Sequence, residues 1–558
     1  MSRFVNLKSS AAGRPLSLFS AARKSSRSTK SPKRIAKSME GCRLPPDLLL
    51  EIAWHMEKPR HVLDFCLTSK ASYKYLLPAL FSVLEIQTVE KCQEQLNFLL
   101  RRPCISRHVR KLILRPSHLC VASENILHAE NEIIRTVELL APNLTCLNTF
   151  IWDGHERPDD SIWTTLRNSC TKLRYVGTGV GARGIETDSQ LFNFSNLKGF
   201  IFHNKWRERK FLNLSEILES EPLPSKLWDM LLNRCPDLEE LSLGSVGSSM
   251  NMKILDIRPL TQGRWPSLQK LSLGHTLMLG EDEELTVEKN SEFSEFLCAH
   301  STLKKLRLPY PVHYPRLDLA NSQIQLESYS GSLSSVIGLL PQCQNLKELV
   351  LCADEHAAWY VPYIRHILRL LPTVTTLAVW LDLSFRFDVE NSVTGEQIKQ
   401  ESDHMVIIRS ILAECPQLEH FKVLCSTKRK YGFSMNELSR ALVNAPRGLK
   451  TLEITKVHTA VVEENMVNVA ARTFHQLPDL EKLVLRYAMK PWSIRKPMIL
   501  RQSGTYETIL RENSGHVKLF RVDEIGAGLF TCFNRHYTHS LRPLHRQVTQ
   551  TVSKLRLL

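Results

Sequence analysis

One phrase, Leu-x-x-Leu-x-Leu, recurs along this chain and constrains its fold more than any other feature. It stands as Leu238-Glu-Glu-Leu241-Ser-Leu243 and again as Leu268-Gln-Lys-Leu271-Ser-Leu273. Six further clear copies begin at Leu303, Leu346, Val374, Leu418, Leu449 and Leu480, and weaker ones at Val109, Leu144, Leu173, Leu197 and Leu326. Counted this way there are thirteen copies, at a mean interval of about 31 residues. A period of that size is the signature of a solenoid. The last two apolar positions are separated by one polar residue, so both point to one face of a short strand. The leading apolar residue turns the corner inward. Between phrases, stretches such as Leu227–Arg234 and Met405–Glu414 carry a helical pattern that would bury the convex side. No single repeat closes its own core, so neighbours must stack. A conventional α/β sandwich is the competing architecture, but it gives no reason for one phrase to recur thirteen times.

Residues 44–77 follow another rule. They read LPPDLLLEIAWHMEKPRHVLDFCLTSKASYKYLL. Leu48, Leu49, Ile52 and Met56 recur at helical spacing. Pro45 and Pro46 suit a helix start, where a missing N–H costs nothing. Asp47 and Glu51 place negative charge near the positive end of the helix dipole. Lys58-Pro59-Arg60 ends that helix. Leu63, Cys66 and Leu67 form a second apolar stripe. Ser72, Tyr73, Leu76 and Leu77 begin a third helix, expected to stop near Pro78. Three helices in so few residues cannot bury their own apolar surface, so they must lean on the rest of the chain or on a partner.

The two segments resemble known families. Leu44-Pro45-Pro46-Asp47-Leu48-Leu49-Leu50-Glu51-Ile52, then Leu63, Cys66-Leu67-Thr68-Ser69-Lys70 and Leu77-Pro78, resemble an F-box, in particular its fungal form. The likeness departs in the third helix, where the Trp of many F-boxes is replaced by Tyr73 or Tyr75. The repeats are similar to irregular leucine-rich repeats of F-box proteins. They too depart: the Asn or Cys that usually follows the third leucine is mostly missing, and intervals run from about 20 to about 44 residues. The resemblance implies docking to the Skp adaptor of a Skp–cullin–F-box ubiquitin ligase. By position, the adaptor contacts would be Leu44, Pro45, Leu48, Ile52, Leu63 and Leu67. At about 1.5–3 kcal/mol for each fully buried leucine-sized side chain, six would give on the order of 10 kcal/mol gross, before the cost of association.

Charge divides unevenly along the chain. Residues 1–40 hold ten Lys/Arg and one acid, Glu40, whereas the whole chain has a net charge of +16. The remaining body is only mildly basic, which argues against a nucleic-acid-binding surface. The Ser-rich basic tail is expected to be disordered. It could be a plain solvated tail, a nuclear import signal around Lys30–Lys37 or a mitochondrial presequence over Met1–Ser26. The F-box likeness disfavours the last and points to cytosol and nucleus. No run of 18 apolar residues is present, so no membrane span is expected. The fourteen cysteines show no paired metal spacing, and Cys170, Cys235, Cys343 and Cys415 each precede a strand, as buried free thiols do. With no signal peptide in view, a reducing compartment without disulfides is expected.

The sequence carries no convincing catalytic constellation. Gly179-Val-Gly181-Ala-Arg-Gly184 matches a dinucleotide fingerprint, but the strand near Leu197 follows too soon for an intervening helix, so a loop is expected. Cys352 and His356 stand at helical ligand spacing, yet two ligands do not make a zinc site. Glu281–Glu284 and Lys428-Arg429-Lys430 read as solvated loops. No catalytic, cofactor-binding or metal residue is assigned, and no cofactor is expected.

The expected architecture is thus α/β. A tail over 1–40 leads to a three-helix F-box over 41–86. A leucine-rich-repeat-like solenoid with a parallel concave sheet spans 87–490, and a cap or tail follows over 491–558. The chain is expected to be the substrate-recognition subunit of the ligase and not itself an enzyme. Its partners would be a Skp-type adaptor, cullin through it, and a protein target, with no nucleic acid or membrane. The alternative is a scaffold whose helices cap the solenoid. Target contacts are expected on the concave sheet at Arg307, Tyr310, Trp380, Lys422, Lys456, Arg486 and Tyr487, because Arg and aromatic side chains favour hot spots.

Overall fold

The computed structural model describes residues 44–529 apart from 57–58, 118–123, 182–183, 185, 205–219, 246–253, 275, 278–288, 309–316, 318, 320–321, 352–360, 383–388, 391–396, 399–403, 428–434, 436, 438–441, 443–444, 459–464, 490–498, 510–517 and 525–527. The basic tail, Tyr310, Cys352, His356, Glu281–Glu284 and Lys428–Lys430 lie outside the described residues.

Each copy of the phrase is a short strand, and the strands stack in chain order into one parallel ladder. They are β1 Val83–Gln87, β2 Lys111–Arg115, β3 Thr149–Trp152, β4 Tyr175–Val180, β5 Gly199–Asn204, β6 Glu240–Ser245 and β7 Lys270–Leu273. After these come β8 Lys305–Leu308, β9 Ser328–Gly331, β10 Glu348–Leu351, β11 Thr376–Asp382, β12 His420–Thr427, β13 Thr451–His458 and β14 Lys482–Met489. The register never slips. Leu84 lies beside Leu112, Leu112 beside Phe150, and so on to Leu452 beside Leu483. Alternation sends these residues, and those two positions later, to the buried side. Where one is oversized its partner shrinks: Tyr329 fills the core in β9 because the third position is Gly331, whose Cβ would stand 2.2 Å from the Tyr329 Oη.

Two details depart from the sequence reading. The repeat expected to begin at Leu144 begins at Leu147, since Phe150 and Trp152 hold the core positions of β3. Leu144 instead ends the preceding turn, its N–H on the Ala141 carbonyl at 3.0 Å. Both leucines are fully buried, so spacing could not separate them. In addition, Phe81-x-x-Leu84-x-Ile86 is a fourteenth copy. Its strand β1 lies within the 41–86 segment and pairs with β2.

The missing asparagines are replaced by main chain. The residue after the leading apolar position offers its carbonyl to two successive N–H groups of the next turn. Ser82 O accepts from Arg110 N at 2.8 Å and Lys111 N at 2.9 Å. The pattern recurs at every junction down to Lys450 O, which accepts from Glu481 N at 2.8 Å and Lys482 N at 3.1 Å. Side chains at the same positions add exposed ion pairs such as Lys198–Glu239 at 2.6 Å and Lys304–Glu327 at 3.1 Å. A backbone tie is indifferent to residue type, so the sequence is free to drop the asparagine.

Helices between strands bury the other side, among them Glu124–Leu140, Ser161–Ser169, His404–Ala413 and Met466–Gln476. The 227–234 stretch continues from an α-turn into a π-helix over Met230–Arg234. After β14 the sheet changes direction. β15 Ile499–Ile509 pairs antiparallel with β14, and β16 Lys518–Glu524 and β17 Gly528–Leu529 pair antiparallel with β15. The sheet thus runs past residue 490, and an antiparallel strand covers the last parallel edge.

Three helices precede the ladder: α1 Pro46–His55, α2 Pro59–Cys66 and α3 Lys70–Leu80. Ser69 caps α3 by accepting the Ser72 N–H at 3.0 Å. Pro78 lies inside α3 and does not stop it; the helix runs two residues further, and Phe81 N–H still reaches the Leu77 carbonyl at 3.0 Å. The helices have no core of their own. Ala53, Val62, Leu63, Cys66, Leu76 and Leu80 belong to the same buried cluster as Leu84 and the ladder leucines.

Candidate docking and holding surfaces

The first surface is the outer side of α1. Leu49, Ala53 and Met56 face the core at i, i+4, i+7. Leu48 and Ile52 form a second stripe about a quarter-turn round the helix, with Leu44 just before it, at exposures of 48%, 41% and 49%. Pro45 is exposed beside them. Leu67, in the turn after α2, is 48% exposed, and Trp54 and Tyr75 add 43% and 41%. Of the ten exposed large apolar side chains among the described residues, these account for six. The concentration matters because scattered exposed leucines are normal, whereas a cluster marks a contact surface. The Arg110 guanidinium lies 4.8 Å from the Trp54 ring centre and fixes it toward the second turn of the ladder. Tyr73, by contrast, is packed against the core.

Leu63 corrects the expected adaptor set. It is only 5% exposed and packs inward with Val62 and Cys66, so it supports the surface from behind. Burial also pushes the Cys66 thiol up to about 12. The remaining apolar contacts are half exposed. Half of ~1.5–3 kcal/mol each from Leu44, Leu48, Ile52 and Leu67 gives roughly 3–6 kcal/mol gross, short of the order of 10 expected. Trp54 and Tyr75 are the side chains at hand to make up the difference.

The second surface is the concave face of the ladder, formed by the residues between the buried positions. Arg307, Trp380 and Lys422 are half-buried on that face. Lys422 Nζ lies 3.0 Å from Glu453, and Arg486 pairs with the same carboxylate. Arg486 is only 8% exposed, so it is committed within the sheet. Lys456 and Tyr487 are corrections: at 3% and 1% exposure they are not concave contacts. They share the parity of the buried positions Leu452, Ile454, Leu483 and Leu485, and they sit side by side with the Lys456 ammonium 6.0 Å from the Tyr487 ring centre. Alternation carried two residues further along each strand would have placed both correctly.

Toward the other end, the concave face is different. Ile151 and Ile201 flank Gly177 on β3, β5 and β4, and with Tyr175, Thr149, Gly199, Lys111 and Glu240 they line an open cavity of about 160 Å³. The Tyr175 hydroxyl donates to Glu239 at 2.6 Å, which holds its ring in place. Burial lowers the Lys111 ammonium below the usual lysine value, while the Glu240 charge pulls it back up. Lys270 pairs with Glu240 at 3.3 Å. The sequence reading missed this cavity because it searched for Arg and aromatics. The available signal was an isoleucine between the two core positions of successive phrases, where polar residues are expected.

No family model matches the chain, and no curated protein matches it significantly. Among solved structures it is similar to a chain of the yeast Rad7 and Elc1 complex, at 13% identity and a TM-score of 0.35, over 60% of this chain and 76% of that one. A superposition that loose adds nothing to what the strand ladder itself establishes.

Gly181 and Gly184 sit in a turn after β4, Gly184 at a φ of +71°, and only the short turn Gln190–Asn193 precedes β5. Cys170 is pushed by burial to about 11, and Cys343 and Cys415 to about 12, so these thiols stay protonated. Among the described residues no group of His, Cys, Asp and Glu could hold a metal ion, and no helix is long and apolar enough to cross a membrane.

Proposed function

We propose that the chain is the target-holding subunit of a Skp–cullin–F-box ubiquitin ligase. In this reading α1–α3 form an F-box that docks on a Skp-type adaptor, and the ladder is a leucine-rich-repeat solenoid that holds the target. The observation that carries the reading is the double-faced α1. One stripe is spent on the core, and the other, Leu44, Leu48 and Ile52, is left outside with Leu67 and Tyr75. The chain itself performs no catalysis and works in cytosol or nucleus. It speeds ubiquitin transfer by making the encounter of target and ligase effectively intramolecular.

The test is capture of a purified Skp-type adaptor by the full chain. The wild type retains the adaptor, and the double variant Leu48→Asp, Ile52→Asp loses it with little change in melting temperature. A wild type that captures no adaptor, or a double variant that still does, sinks the reading. One observation favours a second reading: the helices share the ladder's core, as a terminal cap must. If they are only a cap, the double variant folds normally and no adaptor is bound by either protein.

A further inference from the structure

The geometry points to a specific anchoring site: the concave cavity over β2–β6 takes one large apolar side chain of an extended protein segment, with an acidic group of that segment against Lys111. This deepens the target-holding reading and rests on it. The cavity, about 160 Å³, is close to the size that accepts a benzene-sized group. Gly177 keeps it open, and Gly199 makes room for the Tyr175 ring that lines it. A Cβ on Gly177 would stand 3.1 Å from the Ile201 Cβ and 3.2 Å from the Ile151 Cγ1. At Gly199 the Tyr175 ring fills the missing side chain's place, its Cδ1 only 2.2 Å from where a Cβ would be. The walls are therefore apolar, and the rim is charged.

The rim charge selects the occupant. Lys111 and Glu240 stand on the rim, and Lys270 already holds Glu240 at 3.3 Å. Lys111 has no ion pair among the described residues. Its half-buried charge is best compensated by a carboxylate brought in by the occupant. The lining residues come from β2, β3, β4, β5 and β6. Five strands spaced about 4.8 Å apart span roughly 19 Å, the reach of about six extended residues. A segment lying across the strands thus reaches from Lys111 to Glu240 with its apolar side chain at the centre.

The probe is a fluorescein-labelled octapeptide with phenylalanine and glutamate adjacent at its centre, made in both orders. It is titrated against the full chain by fluorescence anisotropy. Peptides with alanine for phenylalanine, or glutamine for glutamate, are run beside it. The alanine peptide is expected to bind at least about tenfold more weakly. The glutamine peptide is expected to bind about fivefold more weakly to the wild type, but as well as the glutamate peptide to Lys111→Gln. Lys111→Gln is a gentle change, and Gly177→Val, which fills the cavity, should weaken all peptides. No binding, equal binding of all peptides, or an undiminished glutamate preference in Lys111→Gln overturns the inference. Adaptor capture measured on Lys111→Gln separates the two readings. If capture fails in the wild type while peptide discrimination holds, only the ligase assignment falls.

Discussion

The helices over 46–80 and the ladder over 83–489 are built from similar apolar material and treat it in opposite ways. In the ladder, the apolar positions of the phrase are buried at every strand, and the only decision left is what lies between them. In α1 the apolar residues split into two stripes, one buried and one exposed. The difference follows from geometry. A strand in a stacked repeat has one face for the core, and its neighbours above and below cover it completely. A short helix at the end of the stack has a neighbour on one side only. Surplus leucines there stay outside unless something else covers them.

The contrast predicts unequal responses to the same truncation. Leu349→Ala, in a fully buried ladder position, should cost about 2–5 kcal/mol in urea unfolding. Leu48→Ala should stay within about 0.5 kcal/mol. Equal losses would break the comparison. Leu63→Ala sharpens it inside the helical segment: at 5% exposure it should cost about 2–4 kcal/mol, whereas Leu67→Ala changes stability little. A silent Leu63→Ala would return that residue to the docking surface.

Charges test the concave face more gently. Arg115 is buried between Glu85 and Asp153, with its Nε 3.0 Å from Asp153. Glu85→Ala should cost about 2 kcal/mol, below the full loss for a broken buried pair because Asp153 still holds the cation. Thermal denaturation of the variant checks it.

His300 provides a pH dependence. Its Nε2 accepts the Trp265 N–H at 3.1 Å, and its Nδ1 donates to the Phe296 carbonyl at 2.6 Å. Burial first, and the Arg264 charge after it, lower its pKa from the ordinary value, against the Phe296 bond. The folded state therefore binds the proton less readily than the unfolded chain. The neutral ring's contribution is complete above the unfolded value near 6.5 and is lost as pH falls below it. Melting temperature measured from pH 7.5 down to 5.5 should fall, and His300→Gln should flatten that slope. The smallest effect belongs to the exposed junction pairs. Lys198→Ala should cost no more than about 0.5 kcal/mol, and less at high salt, in a salt series of unfolding curves.

Much of the fold was legible because a strand's two-residue alternation and a recurring phrase are local properties. The twelve intervals between the thirteen phrases could differ widely without hiding the ladder. What failed did so for identifiable reasons. Leu144 and Leu147 are both apolar, three apart and buried, so only the pairing of Phe150 with Leu112 settles which leads the repeat. The tie between turns runs through backbone carbonyls and leaves no residue signature. The expected holding residues are Arg, Lys and aromatic side chains running from Arg307 to Tyr487, most of them on the C-terminal strands. There Glu453 neutralises Lys422 and Arg486, while the open cavity lies among isoleucines and glycines at the other end.

The sequence by itself determined the repeating strand, the side on which its leucines lie, and the amphipathic helices that precede it, because each depends on spacing along one short segment. Only the tertiary structure decided which of α1's two apolar stripes is free, that Leu63 faces inward, and where the concave face opens a cavity. Those depend on what stands next to a residue across the stack, and spacing along the chain does not encode a neighbour brought in from about thirty residues away.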